Sequence, residues 1–283
     1  MILFKKATDL RKWLDAQSKK GNSIGFAPTM GALHAGHISL VEMSKSANRV
    51  TISSIFVNPT QFNDPKDFEK YPITLEKDIA MLEAAGCDVL FLPSVKEMYP
   101  DGVKPTMHYD LGYLETILEG KFRPGHFQGV CMVVHRLLEI VQPDNLYLGQ
   151  KDYQQCMVIK KLIELIGLNK EIRLNICPTL REIDGLAMSS RNMRLKADER
   201  KTAAAIYKSL SFIKKNLYQN NIVGIKEQAQ AMLEEAGFRI DYVEITDAKN
   251  LSVVNNWDGK EKIVAVVAAF LNEVRLIDNM LLN

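Results

Sequence analysis

The sequence predicts an α/β fold, a mainly parallel β-sheet with helices on both faces, followed by a smaller α+β domain. Short apolar runs alternate with segments of helical periodicity between residues 23 and 178, which is the pattern of β-α-β units. Most of these runs lack polar alternation, as is typical of strands buried on both faces. After Pro178 the order changes to two helices and then three strands. We therefore predict a first domain over 1–176 and a second over 177–283.

The local pattern justifies each element of the first domain. Apolar runs of strand length are bounded by turn residues. Helices are indicated by spacing: Leu75, Ile79 and Leu82 recur about one turn apart, and Gly86 follows as a stop signal. These criteria predict strands at 23–29, 50–58, 87–93, 145–149 and 171–178, and helices at 36–49, 74–86, 127–143 and 151–167.

The second domain follows from the same criteria. A tight turn at Asn272 and Glu273 separates the last two apolar runs, so these strands are expected to pair antiparallel. The predicted helices cover 197–217 and 224–237, and the predicted strands cover 238–247, 262–271 and 274–282.

Composition excludes several classes of function. The 283 residues are 47% hydrophobic and 25% charged with a net charge of +2, so a globular protein is expected and no nucleic-acid partner. The longest apolar run, 263–271, is too short to span a bilayer, and the opening residues lack a signal-peptide pattern. We expect a cytoplasmic location and no membrane partner. The cysteines are scattered, which favours reduced, buried thiols: Cys87, Cys131, Cys156 and Cys177.

The stretch GFAPTMGALHAGHISL at 25–40 carries the first candidate chemistry. A predicted strand ends at Thr29 and a helix is predicted from Gly36, so free N–H groups at the helix N-terminus would suit a phosphate. His34 and His37 could donate hydrogen bonds to phosphate oxygens. A metal pair is a weaker alternative because no third ligand is evident, and two surface-loop histidines is the plain alternative.

Three further segments carry polar groups at useful positions. Gln61 and Asn58 follow the second strand, and a carboxamide can bind a hydroxy acid without adding charge; a bare turn is the alternative. Lys151 lies at a helix N-terminus, where cations are disfavoured, which hints at an anionic partner; a solvated helix start is the alternative. Ser189 and Arg191 lie near the domain boundary and suit a triphosphate; a polar linker is the alternative.

Six blocks give the chain a family resemblance. PTMGALHAGHISLV, SIFVNPTQF, YPITLEKD, EGKFRPGHFQGV, LGQKDYQQ and PTLREIDGLAMSSRN occur in order across residues 25–192. Together they resemble the pantoate–β-alanine ligase (pantothenate synthetase) family of the His-x-Gly-His nucleotidyltransferase superfamily. The resemblance implies a Rossmann-like ATP- and pantoate-binding domain and a smaller C-terminal lid. It also implies ATP-dependent condensation of pantoate with β-alanine to pantothenate through pantoyl adenylate, releasing AMP and pyrophosphate.

The resemblance also assigns site residues. It implies catalytic roles for His34, His37, Lys151 and Arg191. It places pantoate and β-alanine on Gln61, Gln155 and Asn58. The implied ATP-binding residues are Met30, Gly31, Ala32, Leu33, His34, Ala35, Gly36, His37, Gly149, Gln150, Lys151, Asp152, Leu180, Met188, Ser189, Ser190 and Arg191.

A metal and a second subunit are expected with this chemistry. Mg²⁺ would neutralise the leaving pyrophosphate, and Asp78 is its candidate ligand, with a helix-surface aspartate as the alternative. No tightly bound organic cofactor is expected. Family members are usually homodimers, and VTISSIFV at 50–57 is a candidate to pair with a second subunit. Arg123 and His126 lie in a Gly/Pro loop expected near the site, without an assigned role.

The chain departs from the family pattern at four positions, Ile73, Met132, Leu148 and Leu180, and none of these removes a group that the reaction needs. Two other functions remain open. A nucleotidylyltransferase that leaves AMP on its product shares His-x-Gly-His but does not predict the two glutamines. A nucleotide-binding regulator without turnover would not need every polar group to be intact.

Overall fold

The computed structural model describes residues 1–103, 107–217 and 222–283. They form two compact units. The first comprises Met1–Gly149 and Val158–Pro178, and the second comprises Gln150–Met157 and Thr179–Asn283. The division after Pro178 lies close to the predicted boundary. The assignment of Gln150–Met157 to the second unit is a feature that a linear division of the sequence did not anticipate.

The first unit contains a six-stranded parallel sheet, which confirms the predicted fold class. Its strand order is β1-β4-β3-β2-β5-β6. Strand β1 was missed because a run of only three residues shows no periodicity. The strands are β1 Ile2–Phe4, β2 Ile24–Thr29, β3 Val50–Ile55, β4 Val89–Phe91, β5 Asn145–Gly149 and β6 Arg173–Cys177.

Eight helices connect these strands within the described part of the chain. They are α1 Ala7–Ser18, α2 Ala35–Ala47, α3 Pro65–Glu69, α4 Leu75–Ala84, α5 Val95–Met98, α6 Leu118–Phe122, α7 His126–Val141 and α8 Tyr153–Leu165. Short 3-10 helices occur at Pro59–Gln61, Gly112–Glu115 and Gln150–Asp152. The predicted long helices are confirmed, with bounds shifted by one to a few residues, as is usual where helix ends fray.

Both faces of the central strands β2, β3 and β4 are buried. Leu40 of α2 and Leu82 of α4 pack in one cluster with Ala27 of β2 and Leu90 of β4. Successive strand residues point to opposite faces, so Phe26, next to Ala27, points to the other face, where it is also fully buried. Because successive residues of the central strands are buried on opposite faces, most of these strands show no polar alternation in the sequence.

Strand β3 is not available to a second subunit. Its residues pair with β2 on one edge and with β4 on the other, and all six are buried. The expectation that VTISSIFV pairs with a neighbouring chain is therefore wrong for this strand. Burial of every residue of β3, polar ones included, is typical of the centre of a sheet, whereas an edge strand offers unpaired hydrogen-bonding groups.

The second unit packs helices against a three-stranded antiparallel sheet of order β7-β8-β9. The predicted turn at Asn272 and Glu273 joins β8 to β9 as expected. The predicted helix 197–217 is instead two helices that meet at Ala204 (φ −61°, ψ −15°), a junction that no proline or glycine announces. The elements are α9 Ala197–Ala203, α10 Ala205–Asn216, α11 Ile222–Glu235, β7 Arg239–Asp247, β8 Ile263–Leu271 and β9 Val274–Leu281.

The cysteines are free and buried, as predicted. Burial raises the pKa of Cys87 and of Cys177 to about 11 and the pKa of Cys131 to about 12, so these thiols stay protonated at neutral pH. In the described ranges, no helix combines the length and the apolar character needed to cross a membrane.

Candidate active site

The turn between β2 and α2 has an unusual backbone. Gly31 (φ +82°) and Ala32 (φ +49°) both adopt left-handed conformations, which an alanine visits only at a cost of about 1–2 kcal/mol. A side chain at Gly31 would also be tight, because its Cβ would lie 3.1 Å from an oxygen of Asp78 and 3.1 Å from Ile55. Something must therefore hold this turn in place.

Asp78, in the first turn of α4, holds it. One carboxylate oxygen accepts from the Ala32 N–H at 2.9 Å, and the other accepts from the Leu33 N–H at 2.8 Å and from the Thr74 hydroxyl at 2.9 Å. The side chain is 1% exposed, so it is not the surface aspartate of the alternative interpretation. Three hydrogen bonds use most of the carboxylate's accepting capacity, which does not fit direct Mg²⁺ ligation. Metal binding by Asp78 stays a prediction.

His34 and His37 lie at the N-terminus of helix α2, His34 as its cap and His37 in its first turn. His34 is the N-cap: its Nδ1 accepts from the Gly36 N–H at 3.2 Å, and Nδ1 of His37 accepts from the His34 N–H at 3.4 Å. Two accepting Nδ1 atoms place the proton of each neutral ring on Nε2. The ring centroids lie 4.0 Å apart. The helix thus begins with two neighbouring imidazoles that each carry an Nε2–H donor.

A metal pair receives no support at this position. Among the described residues, no group of three or more histidine, cysteine, aspartate or glutamate side chains lies close enough together to hold a metal ion. The Nδ1 atoms of both histidines are already engaged with the backbone. The arrangement therefore favours the phosphate interpretation, in which the two imidazoles donate through Nε2.

Asn58 follows β3 and is fully buried. Its Nδ2 donates to the carbonyl of Gly129 at 3.1 Å and to Oε1 of Gln61 at 3.1 Å. Its Oδ1 accepts from the Thr60 hydroxyl at 3.0 Å and from the Tyr99 hydroxyl at 2.8 Å. The backbone carbonyl of Gly129 fixes the orientation of the Asn58 amide, which in turn fixes that of Gln61.

The orientation of Gln61 follows from this network. Its oxygen faces Asn58, so its amide nitrogen points toward Met30, whose sulfur lies 2.9 Å away. The backbone carbonyl of Gln61 accepts a hydrogen bond from His126 Nδ1 at 2.7 Å, and the Arg123 guanidinium bonds Nε2 of His126 at 3.1 Å. Arg123 and His126 therefore support the backbone of Gln61. The predicted turn is real, but it is a rigid one.

A cleft of about 300 Å³ lies beside the turn of residues 30–34 between β2 and α2, the histidine turn. Met30, Gly31, Phe56 and Asp78 contribute to its lining, which is mostly apolar. Ile73, one of the four departures from the family pattern, also lines it and is 83% exposed. The first unit thus brings the turn, Gln61 and an open cavity together at the carboxyl edge of its sheet, where ligands bind in open α/β folds.

The predicted residues from Gln150 onward lie in the second unit, whereas Gly149 ends β5 in the first. Lys151 lies in the 3-10 helix Gln150–Asp152, with its Nζ 3.5 Å from a carboxylate oxygen of Asp152. The Lys151 side chain is 16% exposed and that of Asp152 is 45% exposed. Gln155, one turn further along in α8, is half-buried, whereas Gln154 is buried. The segment is a packed turn rather than a solvated helix start.

The segment around Ser189 is also ordered. The Met188 N–H donates to the Leu180 carbonyl at 3.0 Å, which closes a short hairpin. The Ser189 hydroxyl accepts from the Arg191 N–H at 3.3 Å and caps a 3-10 helix at Ser190–Arg194. Leu180 is 40% exposed. The polar linker of the alternative interpretation is therefore a capped hairpin.

A parallel sheet, a left-handed turn and two imidazoles at a helix N-terminus define the class of the protein: an α/β protein whose candidate site has the features of a phosphate-binding site. Comparison with known proteins gives the family. The family model for pantoate-beta-alanine ligase matches residues 2–281. The chain belongs to the pantoate–β-alanine ligase family, and it is a carbon–nitrogen ligase that uses ATP.

Relatives agree along the whole chain. Pantothenate synthetase of Cytophaga hutchinsonii is 46% identical over 285 residues, which is 100% of this chain and 99% of the relative. The crystal structure of pantothenate synthetase from Thermus thermophilus is 39% identical with a TM-score of 0.91, covering 99% of both chains. Pantoate-beta-alanine ligase from Francisella tularensis, complexed with beta-gamma ATP and beta-alanine, is 40% identical with a TM-score of 0.80, covering 99% of this chain and 97% of that one.

Proposed function

We propose that the chain condenses pantoate with β-alanine at the expense of ATP through pantoyl adenylate, with the residue roles that follow. The observation that carries the proposal is the pair of Nε2–H donors at the N-terminus of α2. Two imidazole donors beside a helix N-terminus, where the helix dipole is positive, suit an anion. No side chain forms a bond to substrate in this proposal, so catalysis consists of positioning and electrostatic stabilisation.

In the first step, a carboxylate oxygen of pantoate attacks the α-phosphorus of ATP and pyrophosphate leaves. His34 and His37 stabilise the charge that grows on the phosphate oxygens. Lys151 and Arg191 of the second unit supply positive charge to the phosphates. Mg²⁺ would be held mainly by phosphate oxygens of ATP and by water, and it would supply charge neutralisation of the leaving pyrophosphate.

In the second step, the amine of β-alanine attacks the acyl carbon of the adenylate. The C–N bond forms, the bond from the acyl carbon to the AMP oxygen breaks, and the amine loses a proton. Gln61 and Gln155 position the pantoate moiety throughout. Because the Gln61 oxygen faces Asn58, Gln61 acts on the substrate as a donor, through its amide nitrogen.

Asn58 receives a different role from the one predicted. It was expected to bind pantoate or β-alanine, but it is fully buried, and both ends of its amide are bonded within the protein. We assign it, together with Tyr99, to the positioning of Gln61. Burial raises the pKa of Tyr99 to about 12, so its hydroxyl remains a donor throughout the neutral range.

Isotope exchange tests the order of the two steps. With Mg²⁺, ATP and pantoate but no β-alanine, labelled pyrophosphate is expected to appear in ATP, because adenylate formation can reverse while water is excluded. A nucleotide-binding regulator would give no exchange, and a nucleotidylyltransferase for another substrate would give none with pantoate. The absence of pantoate-dependent exchange in protein that binds ATP would refute the adenylate mechanism.

The assembly and the location are part of the proposal. We retain the homodimer, with an interface that does not use the edges of β3, since both edges are paired. Size-exclusion chromatography with light scattering would test it, and a monomeric mass would contradict it. The cytoplasmic location and the lid role of 177–283 stay predictions.

A further inference from the structure

Asn279 in β9 makes a set of contacts that the reaction chemistry does not require of it. Its Nδ2 donates to the carbonyl of Gln150 at 2.8 Å and to the carbonyl of Lys151 at 2.9 Å. Its Oδ1 accepts from Nε2 of Gln150 at 3.2 Å. The side chain is 1% exposed. All of these residues belong to the second unit.

The two carbonyls that Asn279 binds belong to the two peptide planes on either side of the Lys151 Cα. One amide group therefore restrains both planes, and with them φ and ψ of Lys151. Since these two angles set the direction of the Cα–Cβ bond, they also set where the lysine side chain starts. The orientation of the Asn279 amide is unambiguous, because the opposite one would place its oxygen against two carbonyl oxygens.

Strand β9 also holds the hairpin that contains Leu180 and Met188. The guanidinium of Arg181 forms a two-pronged ion pair with Asp278, and it donates to the carbonyl of Asn279 at 3.0 Å. Burial raises the pKa of Asp278, and the charge of Arg181 opposes this rise. Two consecutive residues of one strand thus fix both segments of the second unit that are assigned to ATP.

We infer that Asn279 is a positioning residue for the adenylation step, acting through the backbone of Lys151. The inference rests on the role proposed for Lys151 above. Preorganisation is the physical reason: a charge-stabilising group is effective only if it is held in place before the reaction, and a displacement of about 1 Å can cost about 10²-fold in rate.

A double-mutant cycle tests this inference, with pyrophosphate exchange as the readout. Asn279→Ala is expected to lower the exchange rate by about 10- to 100-fold, whereas in a Lys151→Ala background the same change should have less than about a 2-fold further effect. Asn279→Asp keeps the side-chain volume and loses both donors, so it should behave like Asn279→Ala. It provides a second variant should the alanine variant fold poorly.

Val267→Ala is the matched control, because Val267 is fully buried in the neighbouring strand β8. It should lower thermal stability and leave the exchange rate unchanged. If Asn279→Ala costs the same factor with and without Lys151, positioning through Lys151 is wrong while the role of Lys151 stands. If Lys151→Ala itself leaves exchange unchanged, the proposed role of Lys151 fails and this inference fails with it.

Discussion

The two units hold their ATP-assigned segments by opposite means. In the first unit, the carboxylate of Asp78 accepts hydrogen bonds from the N–H groups of Ala32 and Leu33. In the second unit, the amide of Asn279 donates to the carbonyls of Gln150 and Lys151. The difference teaches that the type of backbone group facing the support, N–H or carbonyl, decides which side chain can hold the turn. A turn that presents N–H groups needs an acceptor, here a carboxylate, and a turn that presents carbonyls needs a donor, here an amide.

The comparison extends to distance along the chain. Asp78 lies 46 residues from Ala32, whereas Asn279 lies 129 residues from Gln150. Asp78 belongs to α4, a helix that connects strands of the parallel sheet. Asn279 belongs to β9, a strand of the separate antiparallel sheet. We therefore expect substitution of Asp78 to disturb only the turn between β2 and α2. Substitutions in β9 should disturb both the segment at residues 150–151 and the hairpin at residues 180–188.

The largest effect on turnover is expected at Lys151, whose backbone Asn279 holds. Lys151→Ala should lower kcat by about 10²–10³-fold, the scale of losing one preorganised charge-stabilising group. The thermal midpoint should change little, because the side chain is not a core residue. Steady-state AMP formation measures the effect, and Lys160→Ala on the exposed side of α8 is the control. Near-normal turnover of Lys151→Ala would refute its assignment.

Asp78→Asn tests the first support and should have the next largest effect. An amide nitrogen would face one of the backbone N–H groups, so we expect a loss of about 1–3 kcal/mol in the free energy of unfolding. Displacement of the turn should lower turnover by about 10- to 100-fold. Denaturant unfolding and turnover at several Mg²⁺ concentrations measure both effects.

A matched variant separates anchoring from general destabilisation. Asp88 also accepts a backbone N–H, that of Thr51 at 2.8 Å, but it lies away from the histidine turn. Asp88→Asn should therefore lower stability and leave turnover unchanged. Recovery of Asp78→Asn activity at high Mg²⁺ would show instead that Asp78 is a metal ligand.

Tyr99→Phe should have a smaller effect, confined to one substrate. Loss of the hydroxyl removes one bond to Asn58 and loosens Gln61, so we expect the KM for pantoate to rise by about 10-fold, the scale of one net hydrogen bond. The KM for ATP should not change. Tyr147→Phe is the control, since this buried tyrosine bonds Asn48 instead. Equal changes in both KM values would contradict the assignment.

The smallest effect is expected from the cysteines. The thiolate is the reactive form, and burial raises the pKa values of Cys87, Cys131 and Cys177 far above neutrality. Ellman's reagent at pH 8 should therefore leave native activity unchanged and label all four thiols only in denaturant. Rapid labelling with loss of activity in the native state would show an accessible thiol near the site.

The sequence predicted the first unit better than the second. Strand ends, glycines and the histidine spacing are local signals, and the carboxyl edge of a parallel sheet collects them by rule. Met30 and Gln61 follow strands β2 and β3 as that rule expects, and the structure brings them together, whereas Asp78 was predicted only as a candidate metal ligand. The buried anchoring by Asp78 was missed, because helical spacing alone does not distinguish a surface aspartate from one that faces a turn.

The supports of the second unit could not be predicted from local patterns. Asp278 and Asn279 lie in a segment whose apolar run indicates only a strand, and nothing near them points to residues 150 and 151. Tyr99 was missed for the same reason, since its partner Asn58 is 41 residues away. Contacts between distant polar side chains depend on how elements pack, which hydrophobic periodicity does not report.

The 128 residues that separate Lys151 from Asn279 also have a consequence for synthesis. A ribosome adds about 5–20 residues per second, so Asp78 reaches its turn about 2 to 9 s after Ala32 is made, whereas Lys151 waits about 6 to 26 s for its support. The nascent chain can therefore form the contact of Asp78 with the histidine turn well before it can form the contact of Asn279 with the backbone of Lys151. Translation sets the order in which the two halves of the machinery mature, and ribosome-bound chains halted before residue 278 should be unable to catalyse exchange.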